Sequence, residues 1–489
     1  MDRSVAQGRP RGPRTDPGTE PSPNPSARWF AIAVGILLVL AALAIYAVTY
    51  VDRYYDHFVW QAAAFLEGHA AIRYPVEAAG GLNGNAYFQD VLPVATTDGV
   101  ARALLPFPPL PAVVLLPFVA MWGLATNDQV IFTVLAVVDV AICWWAIGRL
   151  PVGPAVRLGT TIFFAFGTVF WYTAQISTTW YQAHIVAVGL TFLAIGAAVG
   201  GDRASVGDEA DGATEPTRGP RPTGTFAIDR RQFIAGLLLG LACTARLSIV
   251  FGLPFFAFVG PGGGWRRRTW SAGLGAVIPI IVLVAYDLVA TGQLVSPAYE
   301  HLYRLETAGY PALGYHADWG IQDPRYLVQN LGVALFGVPD VLPSHLPDAL
   351  AIAPVAVCTE PGAVRGIFDI ACPIAVPRDI GMSVLLTSPA YLLAIPAFAM
   401  VRRSRLVAGA AIAVAAIALF DLMHFSQGWV QFGYRFSNDA APFAILLVAI
   451  GFERLAVRRR WGMLLAMGLV VVSLAVNLWG VTWSRSLGW

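Results

Sequence analysis

Long apolar stretches separated by short polar segments dominate this chain. Many of them reach or exceed the roughly 18 residues typical of a helix that crosses a bilayer. The pattern predicts an all-α integral membrane protein with about eleven transmembrane helices. The predicted spans are Trp29–Tyr50, Val130–Leu150, Val156–Ala174, Gln182–Gly200, Gln232–Arg246, Ser248–Gly260, Thr269–Ala290, Gly381–Val401, Leu406–His424, Ala440–Ala456 and Trp461–Trp479.

The apolar segment Leu104–Gly123 is excluded from this set because it contains five prolines, which remove backbone hydrogen-bond donors. We predict a short helix that dips into the outer leaflet. The positions of the arginines support this choice, because counting the segment as a span would place the later Arg clusters outside. The resulting topology has the N-terminus in the cytoplasm.

This topology divides the chain into a membrane domain, 29–489, and segments outside the bilayer. Residues 1–28 are predicted to be a disordered cytoplasmic tail, and 201–231 a flexible cytoplasmic loop. Two long extracytoplasmic loops, 51–129 and 291–380, are expected to be functional or partly folded.

Composition agrees with this class, since 57% of the residues are hydrophobic and 13% are charged. The net charge of +2 gives no indication of nucleic-acid binding. The predicted location is therefore a cell membrane, crossed many times.

The first long loop begins with acidic residues at the membrane boundary. The spacing of apolar residues through Tyr50–Gly68 predicts an interfacial helix with its aromatic face in lipid, and Asp52 and Asp56 lie one turn apart on it. They either solvate the polar face of that helix or take part in chemistry.

An ordered series of short motifs resembles the GT-C superfamily of membrane glycosyltransferases, in particular the group of protein O-mannosyltransferases and aminoarabinose transferases. The series begins with Asp52 and Gly68, the proline-rich helix, and a Gly-x-x-x-Gly span that ends at a basic residue. It continues with a second large loop and a Gly-Tyr-Arg sequence followed by Asp and Pro. The later motif residues are Gly236, Gly240, Arg246, Gly433, Tyr434, Arg435, Asp439 and Pro442.

The resemblance implies transfer of a sugar from a polyprenyl-phosphate donor, with inversion, to a lipid, glycan or protein acceptor outside the membrane. It implies that Asp52 is the base that activates the acceptor, with Asp56 as the rival. One carboxylate and one or two cations for the leaving phosphate form a sufficient set of groups for this reaction.

Arg246 is predicted either to extend to the outer surface or to bind the donor phosphate, for which a guanidinium is well shaped. Arg435 is a second candidate for that role, with Tyr434 and Asp439 beside it in the motif.

One departure from the resembled family concerns a possible metal. Gln182 and His184 stand where many relatives have an acid, which puts a metal site in doubt, and no other cofactor is expected. His184 either binds substrate or caps a helix.

The second long loop contains His316, Asp318 and Trp319. They either line a sugar site or belong to an ordinary folded loop.

Cys358 and Cys372 share the second outer loop, and thiols outside the cytoplasm tend to oxidise, so a disulfide is predicted.

Two alternative functions remain open. One is a transporter or lipid flippase, and the other is a non-catalytic membrane scaffold. An invariant Asp52, Arg246 and Arg435 among relatives would favour the enzyme.

Overall fold

The computed structural model of this chain describes residues 25–52, 55–76, 88–96, 99–200, 227–261, 263–310, 313–347, 354–428, 430–458 and 460–489. Most of the predicted tail 1–28 and most of the predicted inner loop 201–231 lie outside the described residues.

The described chain is mostly helical, as its hydropathy predicts. Its helices are α1 Pro25–Thr49, α2 His57–Leu66, α3 Leu110–Trp122, α4 Asp128–Ile147, α5 Pro154–Phe166, α6 Phe170–Ile176, α7 Thr179–Val199, α8 Arg230–Cys243, α9 Phe255–Phe258, α10 Trp265–Thr291, α11 Pro297–Gly309, α12 Tyr326–Phe336, α13 Val384–Thr387, α14 Ile395–Phe398, α15 Arg405–Leu422, α16 Ser437–Arg458 and α17 Arg460–Leu487. Short 3-10 turns cover Gly123–Ala125, Leu247–Gly252 and Pro389–Ala394.

Seven of the described helices are long and apolar enough to cross a membrane: α1, α4, α7, α10, α15, α16 and α17. The pair α5 and α6, bent by 46° at the break between them, gives an eighth if counted as one span. These helices are compatible with an all-α membrane protein.

The predicted total of eleven spans is not confirmed. The predicted span Gln232–Arg246 corresponds to the 14-residue helix α8, and Ser248–Gly260 to a 3-10 turn and the short α9. Gly381–Val401 forms three short helical pieces, two of which begin beside a proline. Proline removes a backbone donor and so divides what the hydropathy presents as one continuous apolar run.

Helices α7 and α16 occupy the centre of the bundle, where most of their apolar side chains are buried, while α1 and α10 expose most of theirs. Gly236 and Gly240 of α8 lie directly against the backbone of Ala272 and Ala276 in α10. The Gly-x-x-x-Gly pattern therefore allows two helices to pack closely, as small residues do in membrane bundles.

Short strands stiffen the long loops. In the first loop, β1 Ile72–Arg73 and β2 Leu92–Val94 both pair antiparallel with β3 Arg102–Leu104. In the second, β4 Asp340–Val341 pairs antiparallel with β5 Ala375–Val376.

The helix predicted after the first span is shorter than its apolar spacing suggests. It begins at His57, so Asp52 precedes it and Asp56 is its N-cap residue. Phe58 and Ala62 are fully buried within the protein core, so the prediction that this face lies in lipid is wrong. Spacing identifies an apolar face, but it does not distinguish lipid from other helices as the covering surface.

Candidate functional site

A cavity of about 1240 Å³ lies where the ends of the central helices meet the two long loops. One wall is apolar and comes from Ile280, Leu283 and Val284 of α10, a helix long enough to span a membrane. Ionisable side chains occupy other parts of its lining: Asp90, Arg246, Asp287, Glu300, Glu306, Asp421, His424 and Arg435.

Asp439, in the first turn of α16, is the centre of a buried polar cluster beside this cavity. Its fully buried carboxylate accepts hydrogen bonds from Arg246 Nη2 at 2.7 Å and Arg246 Nε at 3.0 Å. Ser248 Oγ donates at 2.6 Å, and His184 Nδ1 lies 2.8 Å away. Because Asp439 accepts from the guanidinium, it is ionised, and His184 presents its Nδ1–H to it.

This cluster brings together three of the residues singled out in the sequence: His184, Arg246 and Asp439. Of these, only Arg246 lines the cavity. His184 is buried in α7, and its contact with Asp439 orients that carboxylate. Buried charges require such pairing, so Asp439 and Arg246 compensate one another within the fold.

Arg435 differs from Arg246 because its charge has no carboxylate partner among the described residues. Its guanidinium carbon lies 5.3 Å from the centre of the Tyr181 ring and 5.5 Å from that of Phe436, and it lines the cavity. Its buried Nε finds no hydrogen-bond partner in the described chain. Arg435 therefore presents its positive charge to the cavity without an ion-pair contact in the described chain.

Tyr434, beside it, is buried outside the cavity lining, and its hydroxyl has no partner within the described ranges. Burial raises the pKa of Tyr434, and the nearby negative charges of Asp421 and Asp439 raise it further. Its hydroxyl therefore stays protonated.

His424 lines the cavity and is affected by the positive charges of both Arg246 and Arg435. Its Nδ1 accepts the Ser426 backbone N–H at 3.1 Å, and its Nε2 lies 2.8 Å from the Tyr299 hydroxyl. Burial, together with the positive charges of Arg246 and Arg435, lowers the pKa of His424 to about 4. Both guanidinium charges thus act on one part of the cavity, where His424 itself remains neutral at pH 7.

The two acids proposed from the first loop occupy different surroundings, and neither lines the cavity. Asp52 is exposed, with its Oδ1 3.4 Å from the Tyr50 hydroxyl. Asp56 is buried, and both of its carboxyl oxygens lack a hydrogen-bond partner among the residues that the structure places. Burial raises the pKa of Asp56 to about 6, while the charge of His57 opposes the rise.

A third acid of this loop, Asp90, does line the cavity. Its Oδ1 lies 2.9 Å from His57 Nε2, and the His57 Nδ1 lies 3.1 Å from Thr179 Oγ1. Thr179 donates its hydroxyl hydrogen to the Tyr55 carbonyl, so it accepts from His57 Nδ1–H.

One further proton must therefore lie between His57 Nε2 and Asp90 Oδ1, because two lone pairs would repel at that distance. The other oxygen, Asp90 Oδ2, has no partner among the described residues. This buried oxygen is available to a ligand. Nothing in the sequence indicated the pairing of Asp90 with His57, which lies 33 residues away.

Glu306 of α11 is another carboxyl group that the sequence did not single out. Burial and the negative charge of Asp90 together raise the pKa of Glu306 to about 7, against the opposing effect of Arg435. Glu306 therefore interacts electrostatically with both Asp90 and Arg435 in the same cavity.

The trio singled out in the second loop comprises His316, Asp318 and Trp319. His316 stacks on Trp319 with ring centres 3.8 Å apart. The guanidinium carbon of Arg325 lies 4.6 Å from the centre of the Trp319 ring. The His316 carbonyl accepts hydrogen bonds from Tyr303 and Tyr326. None of the trio lines the cavity.

Within the described ranges, no group of three or more His, Cys, Asp or Glu side chains is arranged to hold a metal ion. Gln182 donates to Asp128 at 2.6 Å and to the Ser177 carbonyl at 2.9 Å.

In the second loop, Cys358 and Cys372 are joined by a disulfide.

No family model, no curated protein and no solved structure matches this sequence.

Proposed function

We propose that this protein is an inverting glycosyltransferase that moves a sugar from a polyprenyl-phosphate donor to an acceptor at the outer face of a membrane. The observation that carries the proposal is the cavity, which combines an apolar wall on α10 with two guanidinium groups, Arg246 and Arg435. An amphiphile with an anionic headgroup has this distribution of chemistry. The order of GT-C-like motifs in the sequence supports the same assignment.

In the proposed complex, the lipid chain lies along α10 and the phosphate meets Arg435. Arg435 is the principal phosphate ligand because its charge has no carboxylate partner in the described chain. Arg246 is already bonded to Asp439 and contributes a donor held in a fixed orientation. Guanidinium groups bind phosphate oxygens with strong, charge-assisted hydrogen bonds.

On the acceptor side, we assign the base to Asp90 in place of Asp52. Asp90 lines the same cavity as the two arginines, whereas Asp52 is exposed elsewhere. Its free Oδ2 can accept a proton, while its Oδ1 remains bonded to His57. Glu306 is the alternative base, since it lines the same cavity.

In the proposed reaction, the acceptor hydroxyl oxygen forms a bond to the anomeric carbon as the bond from that carbon to the phosphate oxygen breaks. The phosphate leaves with the electron pair, and its charge is stabilised by the guanidinium groups. The hydroxyl proton passes to Asp90. The leaving group is already an ionised phosphate, so no proton donor is required on that side.

The decisive experiment incubates membranes containing the protein with radiolabelled polyprenyl-phosphate sugars and follows which product gains the label. We expect lipid-linked label to move to an acceptor in the wild type, and to stay on the lipid in Asp90→Asn and Arg435→Gln. Membranes without the protein provide the background.

If labelled lipid binds but no acceptor gains label across a panel of sugars, the enzyme assignment fails and a lipid carrier or flippase is favoured. Absence of both binding and transfer would contradict the cavity assignment itself.

A further inference from the structure

The second outer loop contains a compact segment that we call the disulfide lobe, comprising residues 340–347 and 354–376. The pairing of β4 with β5 and the bond between Cys358 and Cys372 hold it together. Arg365 donates to the carbonyls of Pro343 and Pro373 at 3.2 and 2.6 Å. The backbone of the lobe is therefore well fixed.

This fixed lobe exposes an unusual density of apolar side chains. Four of the seven residues from 364 to 370 are large, apolar and exposed: Val364 (84%), Ile367 (57%), Phe368 (49%) and Ile370 (42%). Val341, Leu342, Val355 and Ile374 add further exposed apolar side chains to the lobe. Single exposed apolar residues need no explanation, but a group of this kind indicates contact with another apolar surface.

The position of the lobe relative to the bilayer follows from its attachment to α17. The indole Nε1 of Trp483 donates to the Ile367 carbonyl at 3.0 Å. Leu478 is the last large apolar residue of α17 that is exposed, five residues before Trp483. At 1.5 Å per residue, the attachment point lies about 7 Å beyond the end of the lipid-facing strip.

That distance corresponds to the polar layer of a membrane. The bilayer is about 40–45 Å thick and its hydrocarbon core about 30 Å, so each headgroup layer measures roughly 5–7 Å. Ile367 is thus attached at the level of the headgroups.

We propose that the tip of the disulfide lobe, residues 364–370, inserts its apolar side chains into the boundary between lipid headgroups and acyl chains. The occupant of this surface is the bilayer in which the protein itself resides. Burial of Val364, Ile367, Phe368 and Ile370 removes apolar area from water, which favours this position. The disulfide keeps the tip in a fixed shape for that contact.

Site-directed spin labelling of the full chain in single-copy nanodiscs tests this proposal. The buried free cysteines Cys143 and Cys243 are first replaced by Ala, and the disulfide is left intact. Labels are then attached in separate Phe368→Cys and Ile370→Cys variants. Glu360→Cys, an exposed charged position of the same lobe, is the matched control.

We expect the ratio of oxygen to water-soluble nickel-complex accessibility to be several-fold higher at positions 368 and 370 than at 360. A ratio at 368 and 370 equal to or below that at 360 would overturn the proposal, because the tip would then lie in water. Low accessibility to both reagents at 368 and 370 would also overturn it, since protein would cover the tip. Monodisperse elution and an unchanged melting temperature confirm that each labelled variant is folded.

Discussion

Replacing Arg435 by Gln separates ligand binding from stability. No carboxylate partner for Arg435 exists in the described chain, so the substitution leaves no buried anion unpaired. A hydrogen bond to a charged group contributes about 1.5–3 kcal/mol. We therefore expect the Kd for polyprenyl phosphate to rise by roughly 10- to 150-fold, since about 1.4 kcal/mol is a factor of ten. The melting temperature should change little.

Arg246→Gln is the matched contrast, because the same chemical change is made at the other guanidinium. Asp439 is fully buried and would lose its bonds from Arg246 Nε and Nη2, keeping only those from His184 and Ser248. Removing one partner of a buried ion pair destabilises by about 3–5 kcal/mol. In the double variant Arg246→Gln/Asp439→Asn both charges are removed, so part of the stability should return.

Both properties can be measured on the same purified samples in detergent. Thermal unfolding gives the melting temperature, and titration with polyprenyl phosphate, with a neutral polyprenol as control, gives the Kd. A Kd for Arg435→Gln equal to that of the wild type would refute the assignment of Arg435 to the phosphate. A large fall in its melting temperature would refute our view that its charge is unpaired.

Three further predictions concern the two long loops. Asp90→Asn should lower transfer by roughly 10² to 10⁴, while Asp52→Asn should leave it near the wild-type rate. The opposite result in the labelled-sugar assay would return the role of base to Asp52. Asp56→Asn should raise both the melting temperature and the unfolding free energy at pH 8, the latter by up to about 3 kcal/mol. The reason is that the pKa of Asp56 is about 6 in the folded protein and ordinarily 3.8, so the ionised carboxylate destabilises the folded state. That gain should shrink as the pH falls from 6 to 4, where wild-type Asp56 becomes protonated in both states, and a gain independent of pH would contradict it. Mass analysis without reduction should find Cys358 and Cys372 bonded and only Cys143 and Cys243 as free thiols. Free thiols at both Cys358 and Cys372 would disprove the bond.

Hydropathy predicted the helical class because a segment that crosses lipid must satisfy its own backbone hydrogen bonds over about 20 apolar residues. The helices α1, α4, α7 and α10 all follow that rule. It was less informative for 381–401, where prolines divide the helix into short pieces. The number of spans therefore could not be fixed from apolar length alone.

The candidate site was only partly visible in the sequence. Arg246 and Arg435 were singled out because charge in or beside an apolar segment is energetically costly and needs a reason. The sequence did not show that Arg246 is paired with a carboxylate and Arg435 is not. That pairing depends on Asp439, which lies 193 residues from Arg246 and reaches it through the packing of α16. Spacing along one helix cannot report a contact between distant helices.

The acids of the first loop show the same division. The sequence places Asp52, Asp56 and Asp90 in one loop, but their order along the chain does not determine their positions in space. Only the tertiary structure exposes Asp52, buries Asp56 without a described partner, and brings Asp90 to the cavity beside His57. The local pattern thus determined the class of helix and the residue types available. Long-range packing decided which charges are compensated and which face the cavity, because burial and pairing depend on the neighbours that the fold supplies.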